Sequence, residues 1–483
     1  MKKKWLLLIP GLVLLYFSNG RFAIPIAGWL FPLCFFPISR DKSIKFTGIL
    51  FPILVAITLQ ASFWKFTSNN IYNLYFYIPF FAGLIYGSIF YFDRLFYLKR
   101  PNFIATLFFP LMYTSIDFIN SLVNPFGTTG VLGYAQLGFL PIAQLASITG
   151  MWGITFIITW FGSIAHWGLT EPFSITKKGL VSYTVILSAI LIFGIIRLLI
   201  PTTSEKLKVA GIHTSDKERD GKAFWKALAQ KDTSTFLQNS KLQIEALIIS
   251  TKKEVNNGAK MVLWSEVSPT ILKAQEEHLK QILSSLALSK SIYLIANPYI
   301  ATIDGSKPEN VAWIFSPEGK LVFSHFKYGG NFLEGSVEGN KKLQVIQTSH
   351  GKMSSIICWD ADFPSIVKQL GRLDVDVVFN PASDWQEIDP IHTRVAIFRA
   401  IENGCAWVRQ TRNGLSIITD QKGRTISKMD HFETNHWVNS GMVPFKKSCT
   451  IYPVIGDFFG WTAMLSLIVL IVYRLKKSST YEN

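Results

Sequence analysis

The sequence predicts a two-part protein, with a bundle of about eight membrane-spanning helices joined to an α/β domain that has a layered sheet. Two observations predict this fold class. Of 483 residues, 49% are apolar and 17% are charged, and the mean hydropathy is +0.28, which is atypical of a soluble domain and excludes a disordered chain. The net charge of +16 is also unevenly distributed along the chain. Residues 1–201 and 453–483 together hold 17 basic and 6 acidic groups, whereas residues 202–452 hold 31 basic and 26 acidic groups.

The predicted spans come first in the chain. A helix needs about 20 apolar residues to cross a bilayer, because every backbone polar group must be paired inside the segment. Eight stretches meet this need and lie near 5–19, 22–39, 47–64, 71–92, 103–123, 142–165, 180–200 and 454–475. The first also looks like a signal peptide, but no cleavage site follows closely, so we predict an uncleaved first helix.

The lysines and arginines of the short loops predict the orientation. With a cytoplasmic N-terminus, 14 of them fall in cytoplasmic loops and two, Arg21 and Lys65, fall in the opposite loops. We therefore predict a seven-span domain over 1–201, an extracytoplasmic domain over 202–452, and a C-terminal helix with a short cytoplasmic tail over 453–483. The basic excess is a topology signal, and a nucleic-acid partner is not expected.

The 202–452 region has another pattern. Short β-rich runs such as AKMVLWSE, SIYLIANPYI and VDVVFNP alternate with helix-like segments at 234–256, 275–289 and 390–403. Alternation of this kind over about 250 residues predicts an α/β domain with a layered sheet. The runs SPEGKLVFS and TDQKGRTIS each place a glycine turn between two strand-like stretches, which predicts two hairpins.

The four cysteines are scattered, at Cys34, Cys358, Cys405 and Cys449. They form no CxxC pair, and no histidine pair has metal-ligand spacing, so we predict neither a metal site nor a cofactor. Cys34 lies in a span. On the oxidising side of the membrane, either a Cys358–Cys405 or a Cys405–Cys449 disulfide can form. One of the three thiols then stays unpaired and is a candidate nucleophile.

Three chemically suitable side chains follow predicted strands. Cys358 ends the run MSSIIC, Glu266 follows AKMVLW, and Lys327 follows LVFSHF. A carboxylate can take the proton of a thiol, and an ammonium can stabilise both a thiolate and an oxyanion. Each residue alone is more often a buried cysteine or a solvated strand end than a catalytic group, but the three together predict a thiol active site at the carboxyl ends of the strands.

These motifs carry a resemblance. AKMVLWSEVSP, the lysine after SPEGKLVFSHF, SSIICWDADFP and the stretch from NPASDW to DQKGR resemble the nitrilase (carbon–nitrogen hydrolase) superfamily. The resemblance implies an αββα sandwich with Glu266 as general base, Lys327 as the oxyanion-stabilising group and Cys358 as nucleophile. The eight-span layout and the stretch PFGTTGVLGYAQLGFLPIAQLASITGMWGITF are similar to the membrane-attached branch of that superfamily, the apolipoprotein N-acyltransferases.

The same resemblance assigns other roles. Glu334 is similar to a second glutamate after the lysine, and Asp360 stands where the family has a glutamate. Trp359, Trp385 and Phe332 are candidate residues of a substrate cleft. The sequence departs from the family pattern at two places. In the run YGGNFLEG after the lysine, the glutamate is displaced by one residue from its position in the family. Asp360 has a side chain one methylene shorter than the glutamate that the family has there.

The resemblance implies a ping-pong reaction in the bacterial inner membrane. A fatty acyl chain would pass from a phospholipid to Cys358 as a thioester, and then to the N-terminal amine of a diacylglyceryl-cysteine on an apolipoprotein. The expected partners are therefore a phospholipid donor, a lipoprotein acceptor and the bilayer, which holds both substrates at raised effective concentration.

Three alternatives stay open from the residues. The first is a membrane-anchored nitrilase-type amidase or hydrolase, for which one anchoring helix would suffice. The second is an acyltransferase with another acceptor. The third is a transporter with a sensing domain, which would need polar groups in several spans, whereas Asp117 is the one acid well inside a span. Asp117 would have either a substrate role or a structural hydrogen bond to another span.

Overall fold

The chain divides into two compact units, one made of Met1–Ile200 with Ile455–Asn483 and one made of Pro201–Val454. The structure is a computed structural model that describes residues 2–66, 71–202, 205–214, 221–330 and 334–479. Each unit is built from its own elements. A short helix, Tyr452–Ile455, lies where the chain passes from one to the other.

The first unit is helical. Its helices are Lys2–Trp5, Leu8–Tyr16, Pro25–Ser39, Thr47–Ser62, Ile78–Tyr97, Phe103–Thr106, Phe108–Val123, Leu140–Ala143, Ala146–Thr149, Met151–Thr170, Phe173–Leu199 and Phe458–Ser479. Helix is therefore present in every stretch for which a span is predicted. The first stretch consists of two short helices, and the sixth begins with two four-residue helices and ends five residues later than predicted.

Three helical stretches are long and apolar enough to cross a membrane, as judged by length and composition over the described residues. They are Leu74–Tyr97, Phe103–Val123 and Phe173–Leu199. Shorter apolar helices occupy Pro25–Ser39, Thr47–Ser62, Leu140–Thr149 and Phe458–Arg474. The count of eight spans and their orientation stay predictions.

Asp117 makes contacts within the helical unit. Its side chain is buried and accepts hydrogen bonds from the Tyr86 hydroxyl at 2.5 Å, from Thr155 Oγ1 at 3.2 Å and from the backbone N–H of Leu132 at 3.3 Å. A buried carboxylate needs such donors, because an unpaired charge in an apolar interior is costly. These contacts favour the structural alternative for Asp117.

The second unit contains fourteen strands among the described residues. In chain order, β1 to β14 are Lys206–Ile212, Met261–Trp264, Thr270–Leu272, Tyr293–Ala296, Tyr299–Ala301, Glu309–Phe315, Leu321–Phe326, Ile346–Gln347, Lys352–Ser355, Val377–Ser383, Ala406–Arg412, Leu415–Thr419, Thr425–Asp430 and Val438–Pro444. They form two sheets. One has eight strands in the order β14-β1-β2-β4-β6-β5-β3, with β7 also paired to β6, and the other has six in the order β13-β12-β11-β10-β9-β8.

The two sheets pack face to face. Between them lies a core to which both contribute, including Val209, Leu263 and Ile314 from the first sheet and Phe379 and Val408 from the second. The outer face of the first sheet packs against Thr233–Asn256 and Glu276–Lys290, and that of the second against Pro364–Arg372 and Ile391–Asn403. The unit is therefore an αββα sandwich, as the resemblance implies.

The predicted hairpins are both present, as the antiparallel pairs β6–β7 and β12–β13. The predicted helices begin and end within one residue of the observed ones. Two predicted strand runs differ. The run from 291 to 300 forms two strands separated by Asn297 and Pro298, because proline has no N–H for a ladder. The strand before Cys358 ends at Ser355. The Ile356 N–H still donates to the Phe379 carbonyl of β10, but the Ile357 N–H donates to the Asp360 carboxylate instead of to a strand.

Candidate active site

The structure brings the three predicted catalytic side chains together in the sandwich. Lys327 follows β7 directly, Glu266 stands two residues after β2, and Cys358 stands three residues after β9. All three are buried, with exposed fractions of 1%, 1% and 3%. The side chains therefore form one enclosed group, in which charges act strongly on one another because little water screens them.

Cys358 opens a tight turn, Cys358–Asp362, and has a backbone φ of +44°. A positive φ is uncommon for a residue with a side chain and costs about 1 kcal/mol or more. The turn is held by Asp360, whose carboxylate accepts from the Ile357 N–H at 2.9 Å and whose own N–H donates to the Ile357 carbonyl at 2.8 Å. These two hydrogen bonds fix the backbone on both sides of the sulfur.

Asp360 also reaches the segment that follows Lys327. It accepts from the N–H groups of Tyr328 and Gly329 at 2.9 and 2.7 Å, and from His325 Nε2 at 2.9 Å. Burial raises the pKa of the Asp360 carboxyl, but His325 and the backbone donors outweigh burial and hold the pKa below its usual value. Asp360 is thus a positioning residue that ties the nucleophile turn to the lysine segment.

Glu266, Lys327 and Glu334 form a carboxylate–ammonium–carboxylate chain. Lys327 Nζ donates to Glu266 Oε1 at 2.7 Å and also to Glu334 Oε1. Asn310 Nδ2 bridges the two carboxylates, at 2.8 Å from Glu266 Oε1 and 3.2 Å from Glu334 Oε2. Glu334 is therefore the second carboxylate that contacts Lys327, and burial raises its pKa.

Burial and the neighbouring charges act differently on the pKa values of Cys358 and Lys327. Burial, followed by the negative charge of Glu266, raises the pKa of the Cys358 thiol well above its usual value, although Lys327 opposes this. Burial acts to lower the pKa of Lys327, but the charges of Glu266 and Glu334 raise it overall. The site therefore rests as a neutral thiol beside an ammonium, and a base must take the thiol proton when the reaction begins.

One atom of the group is available for that proton. Glu266 Oε2 is buried and has no hydrogen-bond partner among the described residues, whereas Oε1 accepts from both Lys327 and Asn310. A buried carboxylate oxygen with an open lone pair can accept a proton at low energetic cost, because no existing hydrogen bond has to break. This geometry suits Glu266 to the predicted role of general base.

A second buried cluster adjoins the sulfur. Arg409 NH2 donates to both carboxylate oxygens of Asp384, each at 2.9 Å, and His392 Nδ1 lies 3.3 Å from Asp384 Oδ1. Burial raises the pKa of Asp384, but the Arg409 charge and the His392 contact outweigh this and lower it to about 2. Cys358 Sγ, an Asp384 oxygen and a His392 nitrogen lie within 4.8 Å of one another. A metal ion held there would have to displace the Arg409 guanidinium from the carboxylate.

Two of the predicted cleft residues lie beside this cluster. The Trp359 ring makes edge contacts with Trp385 at 5.8 Å and with His392 at 4.9 Å, measured between ring centroids. Trp359 is buried and Trp385 is half-buried. Phe332 lies outside the described residues. Cys358 and Cys405 are free thiols, so neither the Cys358–Cys405 nor the Cys405–Cys449 disulfide is formed.

The departure YGG from the family pattern has a steric reason at Gly330. Its φ is +80°, and a Cβ there would lie 2.6 Å from the Trp359 ring. Gly335 has a similar φ of +66°, but a Cβ there would meet nothing within 4 Å. The two glycines therefore carry the same conformational strain on substitution and differ in the space around them.

We expect Gly330→Ala to lower kcat/KM by about tenfold to a hundredfold, because displacement of Trp359 moves the residue that follows the nucleophile. Gly335→Ala pays only the positive-φ cost of about 1 kcal/mol and keeps activity near wild type. Steady-state kinetics and melting temperatures of both variants check this. Equal losses of activity in the two would contradict the role given to the Trp359 contact.

Five further polar residues of the site were not predicted individually: Asn310, His325, Asp384, His392 and Arg409. Asp384, His392 and Arg409 lie within the stretch from NPASDW to DQKGR, and His325 lies within SPEGKLVFSHF, so the resemblance contained these four without giving them a role. Asn310 and His325 each lie inside a strand, where a polar residue in an apolar run was the available signal.

Comparison with known proteins defines the class of the αββα unit. Residues 227–440 match the family model for carbon-nitrogen hydrolases, which covers Glu266, Lys327 and Cys358. The αββα unit is accordingly a carbon–nitrogen hydrolase domain. Among solved structures, an amidase from Nesterenkonia sp. aligns with a TM-score of 0.39 at 15% identity, over 51% of this chain and 94% of that chain.

Relatives extend the likeness beyond that domain. Apolipoprotein N-acyltransferase 2 of Treponema denticola is 26% identical over 506 residues, covering 93% of this chain and 92% of the relative. Apolipoprotein N-acyltransferase of Rickettsia prowazekii is 26% identical over 402 residues, covering 78% and 77%. Over most of its length the chain therefore resembles the apolipoprotein N-acyltransferases, and it is an N-acyltransferase.

Proposed function

We propose that this protein acylates the N-terminus of lipoproteins, moving a fatty acyl chain from a membrane phospholipid through a thioester on Cys358. The relatives and the hydrolase domain support lipoprotein N-acylation as the function. The observation that carries the thioester mechanism is the buried group in which a neutral Cys358 thiol adjoins Glu266 and the ammonium of Lys327.

The first half of the reaction makes the acyl-enzyme. Glu266 Oε2 takes the Cys358 proton as Sγ attacks the ester carbonyl of the phospholipid. Lys327 stabilises the oxyanion that develops, because its ammonium is already ordered by two carboxylates and needs no reorganisation. The carbon–oxygen bond then breaks, Glu266 returns the proton to the leaving alkoxide, and a lysophospholipid departs.

The second half transfers the acyl chain. The α-amine of a diacylglyceryl-cysteine at the lipoprotein N-terminus attacks the thioester, and Lys327 again stabilises the oxyanion. The carbon–nitrogen bond forms, the carbon–sulfur bond breaks, and the amine proton ends on the sulfur. Amide formation from a thioester is downhill, so exclusion of water at the buried site decides between transfer and hydrolysis.

The helical unit offers support for a lipid donor. A cavity of about 350 Å³ is lined by apolar side chains, among them Phe63, Phe81 and Ile85, with Asn120 and Thr129 as polar members. Its volume lies in the range of small-molecule sites, and its walls suit a hydrocarbon chain. We propose that this cavity receives an acyl chain of a membrane lipid.

The proposal includes a location. We place the protein in the bacterial inner membrane as a multi-pass protein, with residues 202–452 on the periplasmic side and both termini in the cytoplasm. The fourteen-to-two distribution of basic residues between the two sets of loops supports this orientation.

The experiment that tests the function uses the purified full chain in phospholipid vesicles with a labelled acyl chain. We expect a protein-bound adduct that hydroxylamine releases, and its discharge as an amide on addition of a synthetic S-diacylglyceryl-cysteinyl peptide. Absence of the adduct would contradict the proposed mechanism. Release of free fatty acid without transfer to the peptide would instead favour a hydrolase.

A cellular measurement identifies the acceptor. Mass spectrometry of lipoprotein N-termini from cells that lack this protein should show two acyl chains on the terminal cysteine in place of three. Fully acylated termini in such cells would assign the acyl chain to another acceptor.

A further inference from the structure

His392 is a buried histidine beside the nucleophile for which the mechanism above has no use. It stands in the first turn of the helix Ile391–Asn403, and its exposed fraction is 2%. We propose that His392 is a second proton-transfer group of this site, which takes the proton of the attacking amine and returns it to the sulfur. This inference rests on the proposed function, since it assigns the second half of that reaction.

The geometry of the cluster resembles a nucleophile, a base and an orienting acid. Sγ of Cys358, a ring nitrogen of His392 and a carboxylate oxygen of Asp384 lie within 4.8 Å of one another. The imidazole also packs on the Trp359 ring at a centroid distance of 4.9 Å. An imidazole held this close to a sulfur can exchange a proton at the reacting centre once the acceptor amine has entered.

The hydrogen bonds of the cluster select the tautomer. Asp384 is ionised, because Arg409 pairs with both of its oxygens at 2.9 Å. An ionised carboxylate only accepts, so the 3.3 Å contact of Asp384 Oδ1 with His392 Nδ1 requires the proton on Nδ1. Nε2 therefore carries the lone pair, and it has no hydrogen-bond partner among the described residues.

The charges around His392 suit a transient imidazolium. Asp384 faces Nδ1, and Asp362 Oδ2 lies 3.9 Å from Nε2, beyond hydrogen-bonding distance but close enough for electrostatic stabilisation. Arg409 offsets part of this negative charge.

A base beside the sulfur gives the second half-reaction a proton path of its own, separate from that of Glu266. Glu266 has one open oxygen, which takes the thiol proton in the first half and gives it to the leaving lysophospholipid. In the second half, the tetrahedral intermediate carries an extra proton on nitrogen. That proton passes from nitrogen to the imidazole of His392, the carbon–sulfur bond breaks to release the amide, and the imidazolium gives a proton to the Cys358 thiolate.

The test separates the two half-reactions in the full-length protein in vesicles. His392→Gln should form the acyl adduct at a rate within about threefold of wild type. Discharge of the preformed adduct by the synthetic S-diacylglyceryl-cysteinyl peptide should fall about a hundredfold, which is the usual contribution of one proton-transfer group. His278→Gln, a surface substitution, should change neither rate.

A second variant guards against a purely structural effect. His392→Ala leaves space for a small base, so added imidazole should restore part of its discharge rate without changing its acylation rate. Discharge at the wild-type rate in both variants would overturn the inference, and so would equal loss of acylation and discharge with no rescue. Absence of an adduct in wild type would contradict the proposed function itself, which makes the two failures distinguishable.

Discussion

Cys358→Ala is expected to abolish the acyl adduct, whereas Cys405→Ala keeps it at the wild-type level. The two cysteines form a matched pair, because both are buried, both are free and both lie in the same sandwich. Burial raises the pKa of the Cys405 thiol to about 12, and its surroundings are the apolar side chains between the second sheet and its helices. The carboxylate that acts on this thiol, Asp376, has both oxygens engaged, since they accept the backbone N–H groups of Lys352 and Lys447.

The difference between the two thiols is thus a difference in neighbours. Burial also raises the pKa of Cys358, but Glu266 can take its proton and Lys327 stabilises the charge that follows. We expect the Cys405 substitution to cost about 1 kcal/mol in stability through a small cavity. Gel detection of labelled acyl chain on each variant measures the outcome. An adduct on Cys358→Ala would move the nucleophile elsewhere.

The convergence of the three catalytic candidates at strand ends could be predicted from the sequence alone. Glu266, Lys327 and Cys358 each lie at the end of an apolar run, and side chains at such positions converge because the strands share one domain edge. Their convergence was predictable without knowing which strands are neighbours. The αββα layering followed from the family likeness rather than from the strand pattern, which gave an α/β domain only.

The residues that support the triad could not be found in this way. Asn310 reaches Glu266 because β6 pairs with β7, so that Lys327 donates its backbone N–H to the Asn310 carbonyl at 2.9 Å. Arg409 meets Asp384 because β10 and β11 pair in parallel, with Asn380 opposite Arg409. Strand pairing over such sequence separations is set by the packing of the whole sandwich, and no local pattern encodes it.

The helical unit shows a second limit of sequence reasoning. Hydropathy over 142–165 predicts one continuous span, yet the chain forms two four-residue helices and then Met151–Thr170. Gly150 stands at the junction with a φ of +62°, which interrupts the helix. An average over some twenty residues detects that a stretch is apolar but does not register a single residue that breaks its hydrogen-bond ladder.

Glu266→Gln is expected to lower the acylation rate by about a thousandfold, while Glu334→Gln lowers it by less than about thirtyfold. The two glutamates are natural controls for each other, since both contact Lys327 and both accept from Asn310. They differ in whether a carboxylate oxygen remains without a hydrogen-bond partner. Glu266 has a buried oxygen without a partner among the described residues, whereas both oxygens of Glu334 are engaged.

Glutamine keeps the shape of glutamate but cannot accept the thiol proton, so the Glu266 variant loses the general base and keeps the fold. A thousandfold loss corresponds to about 4 kcal/mol of transition-state stabilisation, within the range for removal of a proton-transfer group together with one charge beside Lys327. The Glu334 variant removes a charge from Lys327 but leaves the base in place. Single-turnover acylation with labelled phospholipid distinguishes the two. A larger loss in Glu334→Gln than in Glu266→Gln would assign the base to Glu334, because the charge removed beside Lys327 is the same in both variants.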